Sequence, residues 1–160
     1  MDLNLKGKVA VVTGGSLGIG RAVTEALAAQ GVRVAIVARS QGPLQKAADE
    51  ISVASGTEIL AVPADVSSTE QVEAMMDKVA SHFGRIDILV NGAAHPGGLV
   101  RSEIENASPE GLLEDINIKV VGYMRCAKAA SAHMKRNKWG RIINIGGLTG
   151  ADLRPPVQFA

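Results

Sequence analysis

The sequence has 160 residues, which is long enough for one domain with a sizeable core. Hydrophobic residues make up 46% and charged residues 21%, an ordinary balance for a globular protein that argues against a disordered chain. Lys and Arg number 17 and Asp and Glu 16, so the formal net charge of +1 argues against a dedicated nucleic-acid surface.

Membrane and metal partners are not expected either. No apolar run approaches the roughly 20 residues needed to span a bilayer, and the start of the sequence lacks the shape of a signal peptide. The single cysteine, Cys126, lies in a helical pattern without metal-ligand spacing, so we expect a buried thiol in a reducing compartment. These observations predict a cytoplasmic protein.

Short, almost wholly apolar segments alternate with helical patterns along the whole chain. Such segments are typical of parallel strands that are buried on both faces. The five predicted strands are, in chain order, residues 9–12, 32–37, 58–62, 86–90 and 141–145. The alternation predicts right-handed βαβ units and a doubly wound parallel sheet, with helices on both faces in three α/β/α layers. No linker divides residues 1–160, so we expect a single domain.

The helices between these strands carry signals for their ends and buried faces. The first helix is expected to bury a stripe of five apolar residues: Ile19, Ala22, Val23, Ala26 and Leu27. The second begins near Pro43, and the third has Ser67 as its predicted N-cap with Glu70 three residues later. A long last helix begins at Pro109 and runs to about Lys135.

A glycine-rich stretch, Thr13–Gly20, joins the first strand to the first helix. Gly14, Gly18 and Gly20 follow the spacing G-x-x-x-G-x-G. Glycine adopts backbone angles that other residues resist, and without a Cβ it lets a phosphate approach the main chain. The helix start adds unpaired N–H groups and a positive dipole end. The stretch therefore predicts a phosphate-binding turn.

Further motifs follow this turn in a fixed order. They are Asp65-Val66, Asn91-Gly92-Ala93-Ala94, Asn117 and Gly140-Arg141-Ile142-Ile143-Asn144-Ile145. Together with the glycine turn they resemble the ordered motifs of the short-chain dehydrogenase/reductase family. The resemblance implies a Rossmann-type fold and an NAD(P)-dependent oxidoreductase that moves hydride between a nicotinamide and a small-molecule carbonyl or alcohol. It also implies a homodimer or homotetramer.

The resemblance implies a cofactor site that begins at the glycine turn. The cofactor pyrophosphate and ribose would lie against Gly14, Ser16, Leu17, Gly18 and Ile19. The alternative for these residues is a tight turn that serves only packing.

Arg39 and Ser40 bear on the choice of cofactor. Ala38 occupies the position where an acid for the NAD ribose is expected, and a guanidinium there can bind a 2′-phosphate through two parallel hydrogen bonds. NADP is therefore the expected cofactor, with NAD as a possibility and a solvated surface arginine as the alternative. Leu17 argues against NADP, because many family members that use NADP carry a basic residue at this position.

The remaining motif residues receive roles through the same resemblance. Asp65 would accept a hydrogen bond from the adenine amino group, with Val66 against the ring, although an acid at a helix start is an alternative. Residues 91–94 would place their backbone beside the cofactor. Asn117 would kink the long helix and hold a water of the proton relay, and a helical polar residue without a role is its alternative. His95 is expected to be an ordinary loop histidine.

The catalytic Ser, Tyr and Lys of the family are not found. Gly147 stands where the Ser is expected, the only tyrosine is Tyr123 in the preceding helix, and the sequence ends at Ala160 where a Tyr-x-x-x-Lys motif is due. We therefore expect the chain to lack C-terminal strands and helices, and to show no turnover as given. Gly147 also suggests an alternative function, a non-catalytic NADP-binding sensor or partner subunit. Another doubly wound domain, such as a methyltransferase, is a weaker alternative.

Overall fold

The computed structural model describes residues 3–94 and 108–146. The strands are β1 (Val9–Thr13), β2 (Arg33–Ala38), β3 (Ile59–Pro63), β4 (Ile88–Asn91) and β5 (Arg141–Asn144). The α-helices are α1 (Gly18–Ala29), α2 (Gln41–Ser55), α3 (Thr69–Phe83), α4 (Pro109–Ile116) and α5 (Gly122–Arg136). A π-helical segment, Asn117–Val121, joins α4 to α5 and is called the π-turn below.

The described strands form one parallel sheet in the order β3-β2-β1-β4-β5. The chain builds outward from β1 to β3 and then crosses over to β4 on the other side of β1. Thr13 is level with Val37 and with Asn91, and Asn91 is level with Asn144. The carboxyl ends of four strands therefore share one edge, and the switch between β1 and β4 is where such sheets bind ligands.

Two apolar cores, one on each face of the sheet, confirm the predicted three layers. On one face α1 and α2 cover the strands, with Leu44 and Ile51 packed around Ile36. On the other face α3 and α5 do so, with Met75 and Cys126 among the buried residues. The predicted inner face of α3 is buried throughout.

The predicted stripe of α1 is wrong in part. Its buried residues are Gly20, Thr24 and Ala28, whereas Ile19 is 66% exposed. A Cβ at Gly20 would overlap the Gly14 carbonyl. The helix therefore lies close against the glycine turn at Gly20, and Ile19 faces outward, whereas the predicted Val23 and Leu27 are partly buried against the core.

Five predicted element starts also differ from the structure, and those of β2 and β3 differ by a single residue. Helix α2 begins at Gln41, ahead of Pro43. The N-cap of α3 is Ser68, whose hydroxyl accepts a hydrogen bond from Gln71 N at 3.3 Å, so Ser67 is not the cap. Strand β4 begins at Ile88, two residues later than predicted, although the Asp87 backbone still pairs with Val9 and Arg141.

Asp87 closes the amino end of the sheet. It is fully buried, and its Oδ2 accepts hydrogen bonds from Val9 N at 3.0 Å and Arg85 Nε at 2.8 Å. Its Oδ1 accepts from Arg85 Nη2 at 2.6 Å. Nearby, two cations contact the Trp139 ring, with Lys8 Nζ at 4.3 Å and the Arg141 guanidinium at 4.9 Å from its centroid.

Candidate functional site

A cleft of about 410 Å³ opens at the carboxyl edge of the sheet, beside the switch between β1 and β4. Most of the predicted cofactor residues line it: Gly14, Ser16, Leu17, Gly18, Arg39, Ser40, Asp65, Val66, Gly92, Ala93 and Ala94. Two predicted residues lie elsewhere. Ile19 lines a neighbouring cleft, and Asn91 is buried below the floor.

Two glycines of the turn have left-handed backbone angles and serve different purposes. Gly14 has φ of +71°, and a Cβ there would lie 2.7 Å from the Gly92 carbonyl oxygen. Gly14 therefore allows the ends of β1 and β4 to approach each other. Gly18 has φ of +53°, and a Cβ there would meet nothing within 4 Å. Gly18 thus leaves the main chain open to the cleft.

The helices that begin at this cleft have no side-chain caps. Helix α1 follows Leu17 and α2 follows Ser40 without a side-chain cap or an acid in the first turn. In contrast, Ser68 caps α3 and Ser108 caps α4. The first N–H groups of α1 and α2 are therefore left for a ligand, and the helix dipole favours an anion there.

Thr13 shapes the cleft, although the sequence analysis assigns it no role of its own. Its side chain is fully buried, and its Oγ1 accepts hydrogen bonds from Gly92 N and Ala93 N, both at 3.1 Å. The loop after β4 is thereby fixed against the end of β1. The signal was available, because Thr13 is the one polar residue that ends the apolar run Val9–Val12.

Asn91 supports the site from below. Its Nδ2 donates to Asn144 Oδ1 at 2.9 Å and to the Tyr123 carbonyl at 3.3 Å. Its Oδ1 is buried and accepts no hydrogen bond from the described residues. The Asn91 side chain therefore ties β4 to β5 and α5, whereas residues 92–94 line the cleft.

The ends of β2 and β3 form the opposite wall. Arg39 is exposed on the rim, and in residues 3–94 and 108–146 no carboxylate pairs with it. Asp65 Oδ1 accepts a hydrogen bond from Ser67 N at 2.9 Å, so this acid also orders the approach to α3. Its backbone N–H donates to Gln71 Oε1 at 3.0 Å.

Asn117 begins the π-turn, at the position where the sequence predicts a kink in the long helix. Its carbonyl accepts the N–H of Gly122, five residues later, and also Arg125 Nη1 at 3.2 Å. The two residues that follow Asn117 reach the site, since Ile118 lines the first cleft and Lys119 lines the second. The side chain of Asn117 lines neither cleft.

Comparisons with known proteins agree with this geometry. The sequence model of the short chain dehydrogenase family matches residues 8–158. The chain belongs to this family. It is 35% identical over 149 residues to the 3-oxoacyl-[acyl-carrier-protein] reductase of Escherichia coli K12, covering 92% of this chain.

Two solved structures resemble the fold of this short chain dehydrogenase. NAD+-bound xylitol dehydrogenase superposes with a TM-score of 0.87 and 30% identity, covering 97% of this chain. The L-sorbose reductase of Gluconobacter frateurii, complexed with NADPH and L-sorbose, superposes with a TM-score of 0.87 and 33% identity, covering 99% of this chain. The chain spans about three fifths of the length of these three proteins, 58% to 60%.

A second cleft, of about 530 Å³, lies beside the first in this short chain dehydrogenase. Its lining includes Ile19, Lys119, Tyr123 and Asn144. The Tyr123 hydroxyl donates to the Ile145 carbonyl at 3.3 Å, and burial raises its pKa, with Asp115 and Cys126 adding to the effect. The Tyr123 hydroxyl is thereby bound to the main chain just after β5.

The other sequence expectations concern single residues. Cys126 is fully buried, as predicted, and burial raises the pKa of its thiol to about 12. The parts of the chain that the structure covers hold no cluster of three His, Cys, Asp or Glu side chains able to bind a metal. None of their helices combines the length and apolar character required to cross a bilayer. His95 and Gly147 lie outside the described residues.

Proposed function

We propose that this short chain dehydrogenase binds NADP in the first cleft. The observation that carries the proposal is the rim after β2, where Arg39 and Ser40 follow Ala38 and no acid is present. An unpaired guanidinium on a cleft wall suits a ribose 2′-phosphate, because its fork of N–H groups matches phosphate oxygens. NAD is the alternative cofactor.

The other residues of the cleft fit the rest of such a dinucleotide. The uncapped start of α1 and the open main chain at Gly18 suit a pyrophosphate. Among the described residues Asp65 Oδ2 accepts no hydrogen bond, so it is available to the adenine amino group. Val66 lies beside it and offers an apolar surface to the ring.

We further propose that the whole protein is an oxidoreductase acting on a small-molecule carbonyl or alcohol. The bound nicotinamide would supply or accept the hydride. Asn117 would hold a water of the proton relay. The Tyr-x-x-x-Lys motif does not occur after β5 in this sequence, and we propose that residues outside it supply the proton donor.

A second candidate function is a non-catalytic NADP-binding sensor or partner subunit. Gly147 in the sequence favours it, because glycine has no hydroxyl to orient a carbonyl. A Gly147→Ser variant of the whole protein separates the two functions when NADPH oxidation is followed across a panel of ketones and aldehydes. Activity only in the variant supports the sensor, and activity in the unmodified protein excludes it.

Self-association into a dimer or tetramer is also proposed. Apolar side chains stand exposed along α4, the π-turn and α5, with Leu113, Val120 and Met124 each more than half exposed. Exposed apolar surface of this kind is typical of an interface. Sedimentation analysis of the protein tests it, and a monomer at every concentration would contradict it.

Replacing Arg39 by Ala tests the cofactor proposal directly. We expect NADPH affinity to fall about tenfold, because a charge-assisted hydrogen bond to an exposed phosphate contributes about 1.5 kcal/mol. NADH affinity should stay unchanged, since NADH has no 2′-phosphate. Calorimetry of both cofactors provides the measurement. Lys46→Ala, which removes an exposed cation from α2, is the control, and equal losses for both cofactors would show that Arg39 is a surface charge only.

A further inference from the structure

Arg125 joins two parts of the site that are far apart in sequence. From α5 its Nε donates to Thr69 Oγ1 at 3.0 Å, at the start of α3. Its Nη1 donates to the Val66 carbonyl at 3.4 Å and to the Asn117 carbonyl at 3.2 Å. One guanidinium therefore holds the loop after β3 and the π-turn together.

The partners of Arg125 are unusual for an arginine at the surface of a protein. Among the residues that the structure describes, no carboxylate pairs with it, and its bonds go to two main-chain carbonyls and one hydroxyl. Because these acceptors are neutral, Arg125 forms no ion pair with them. Its rigid fork of N–H groups instead fixes the relative positions of the three acceptors.

Gly122 lies at this junction. A Cβ there would lie 3.1 Å from Val66 Cγ2, 3.2 Å from the Val66 carbonyl oxygen and 3.3 Å from the Asn117 carbonyl oxygen. These distances are tighter than most real Cβ contacts, so a larger residue would require its neighbours to shift by a few tenths of an ångström. Gly122 also donates its own N–H to the Asn117 carbonyl. The glycine in the middle of the long helix therefore favours the close approach of the helix to Val66.

We propose that Arg125 is a positioning residue that couples the adenine end of the cleft to the π-turn carrying Asn117. This inference rests on the proposed function, because Val66 is placed there against the adenine ring. A ligand on Val66 restricts the loop after β3. Since Arg125 holds the Val66 and Asn117 carbonyls through one nitrogen, the restriction passes to the π-turn. Arg125 touches no reacting group itself and acts only through Asn117.

The test uses adenosine 2′,5′-bisphosphate, which carries the adenine end of NADP without pyrophosphate or nicotinamide. Amide exchange of Gly122, whose N–H closes the π-turn, is measured by NMR with and without saturating ligand. In the unmodified chain we expect the ligand to slow this exchange at least about fivefold, the lower end of typical coupling between sites. In Arg125→Met the ligand should still bind within about threefold while the slowing disappears, since coupling and affinity are separate quantities.

Arg136→Met is the matched control, because it removes an exposed arginine from the same helix and should retain the full response. If Arg125→Met does not fold, Thr69→Val replaces it. This variant removes only the exposed hydroxyl acceptor and should reduce the slowing. Calorimetry with the unmodified chain separates the two proposals. Absence of binding removes the proposed cofactor site and this inference with it, whereas binding without slowed exchange, or slowing that persists in Arg125→Met, overturns the inference alone.

Discussion

The two ends of the sheet carry similar polar groups but use them in opposite ways. At the amino end, the buried Asp87 carboxylate accepts hydrogen bonds from Val9 N–H and Arg85, and Trp139 contacts two cations. At the carboxyl end, α1 and α2 begin without side-chain caps, and Arg39 has no acidic partner among the described residues. Polar groups are satisfied internally at one end and left available at the other.

This difference assigns stability and binding to different places. A paired, buried charge adds to stability only while both partners are present. An unpaired donor at the surface costs little, because water satisfies it until a ligand arrives. Mutations at the amino end should therefore change folding alone. Mutations at the carboxyl end should change binding, and should change folding as well only where they remove an internal hydrogen bond.

Asp87→Ala should give the largest effect. It leaves Val9 N–H buried without an acceptor and removes the partner of Arg85. We therefore expect a loss of roughly 3 kcal/mol in the free energy of unfolding. This value is at the lower end for a broken buried pair, because Arg85 is partly exposed. Urea denaturation measures the loss. Asp87→Asn, which keeps an acceptor oxygen, should lose less. A changed NADPH affinity in the folded variant would contradict the division between the two ends.

Thr13→Val should give the next largest effect, at the other end of the same strand. It keeps the shape of the side chain but leaves the N–H groups of Gly92 and Ala93 without their acceptor, at a cost of about 2 kcal/mol. Because these groups shape the cleft wall, NADPH affinity should fall as well. Urea denaturation and calorimetry are the two measurements. Thr13→Ser retains the oxygen and should keep both the free energy of unfolding and the NADPH affinity near the original values. An unchanged NADPH affinity in Thr13→Val would mean that the loop after β4 does not need Thr13 to hold its position.

Cys126, in the core between the two ends, should give a smaller effect that depends on pH. The thiol is neutral when protonated, and its pKa is about 12 in the folded chain against an ordinary value of 9.0. The contribution of the buried neutral thiol to the free energy of unfolding is therefore present below pH 9, and it is lost as the pH rises from 9 towards 12. At pH 10 the loss is about 1.4 kcal/mol. Urea denaturation of the original chain and of Cys126→Ala is measured at pH 7.5 and at pH 10. The difference in free energy of unfolding between the two chains should shrink by about that amount at the higher pH. A difference that stays constant would exclude thiol ionisation as the cause.

Much of this architecture follows from sequence pattern. Apolar strands alternating with helical segments are sufficient for a doubly wound sheet, and Gly56 and Gly84 end their helices in the left-handed conformation as their positions suggest. Most of the cleft was also predictable, since Arg39 and Asp65 each follow a strand and strand ends share one edge.

The errors arose where packing distance decides the outcome. The stripe of α1 was assigned by hydrophobicity, but the helix lies so close to the glycine turn that Gly20 and Thr24 are inside and Ile19 is outside. The Arg125 junction joins residues 56 and 59 positions apart in sequence, and it depends on a hydrogen-bond geometry that no local pattern encodes. The role of His95 and that of Gly147 remain predictions.

The π-turn has a consequence for how this helix can change during evolution. A π-helical turn holds one residue more than the α-helical turn it replaces, so the segment from Asn117 to Val121 is equivalent to a single-residue insertion. Deleting one residue within it would restore regular α-helix while Cys126, Ala130 and Met134 kept facing the core. The insertion is therefore tolerated by the fold on either side of it, and what a deletion would remove is the displaced carbonyl of Asn117 that Gly122 and Arg125 share.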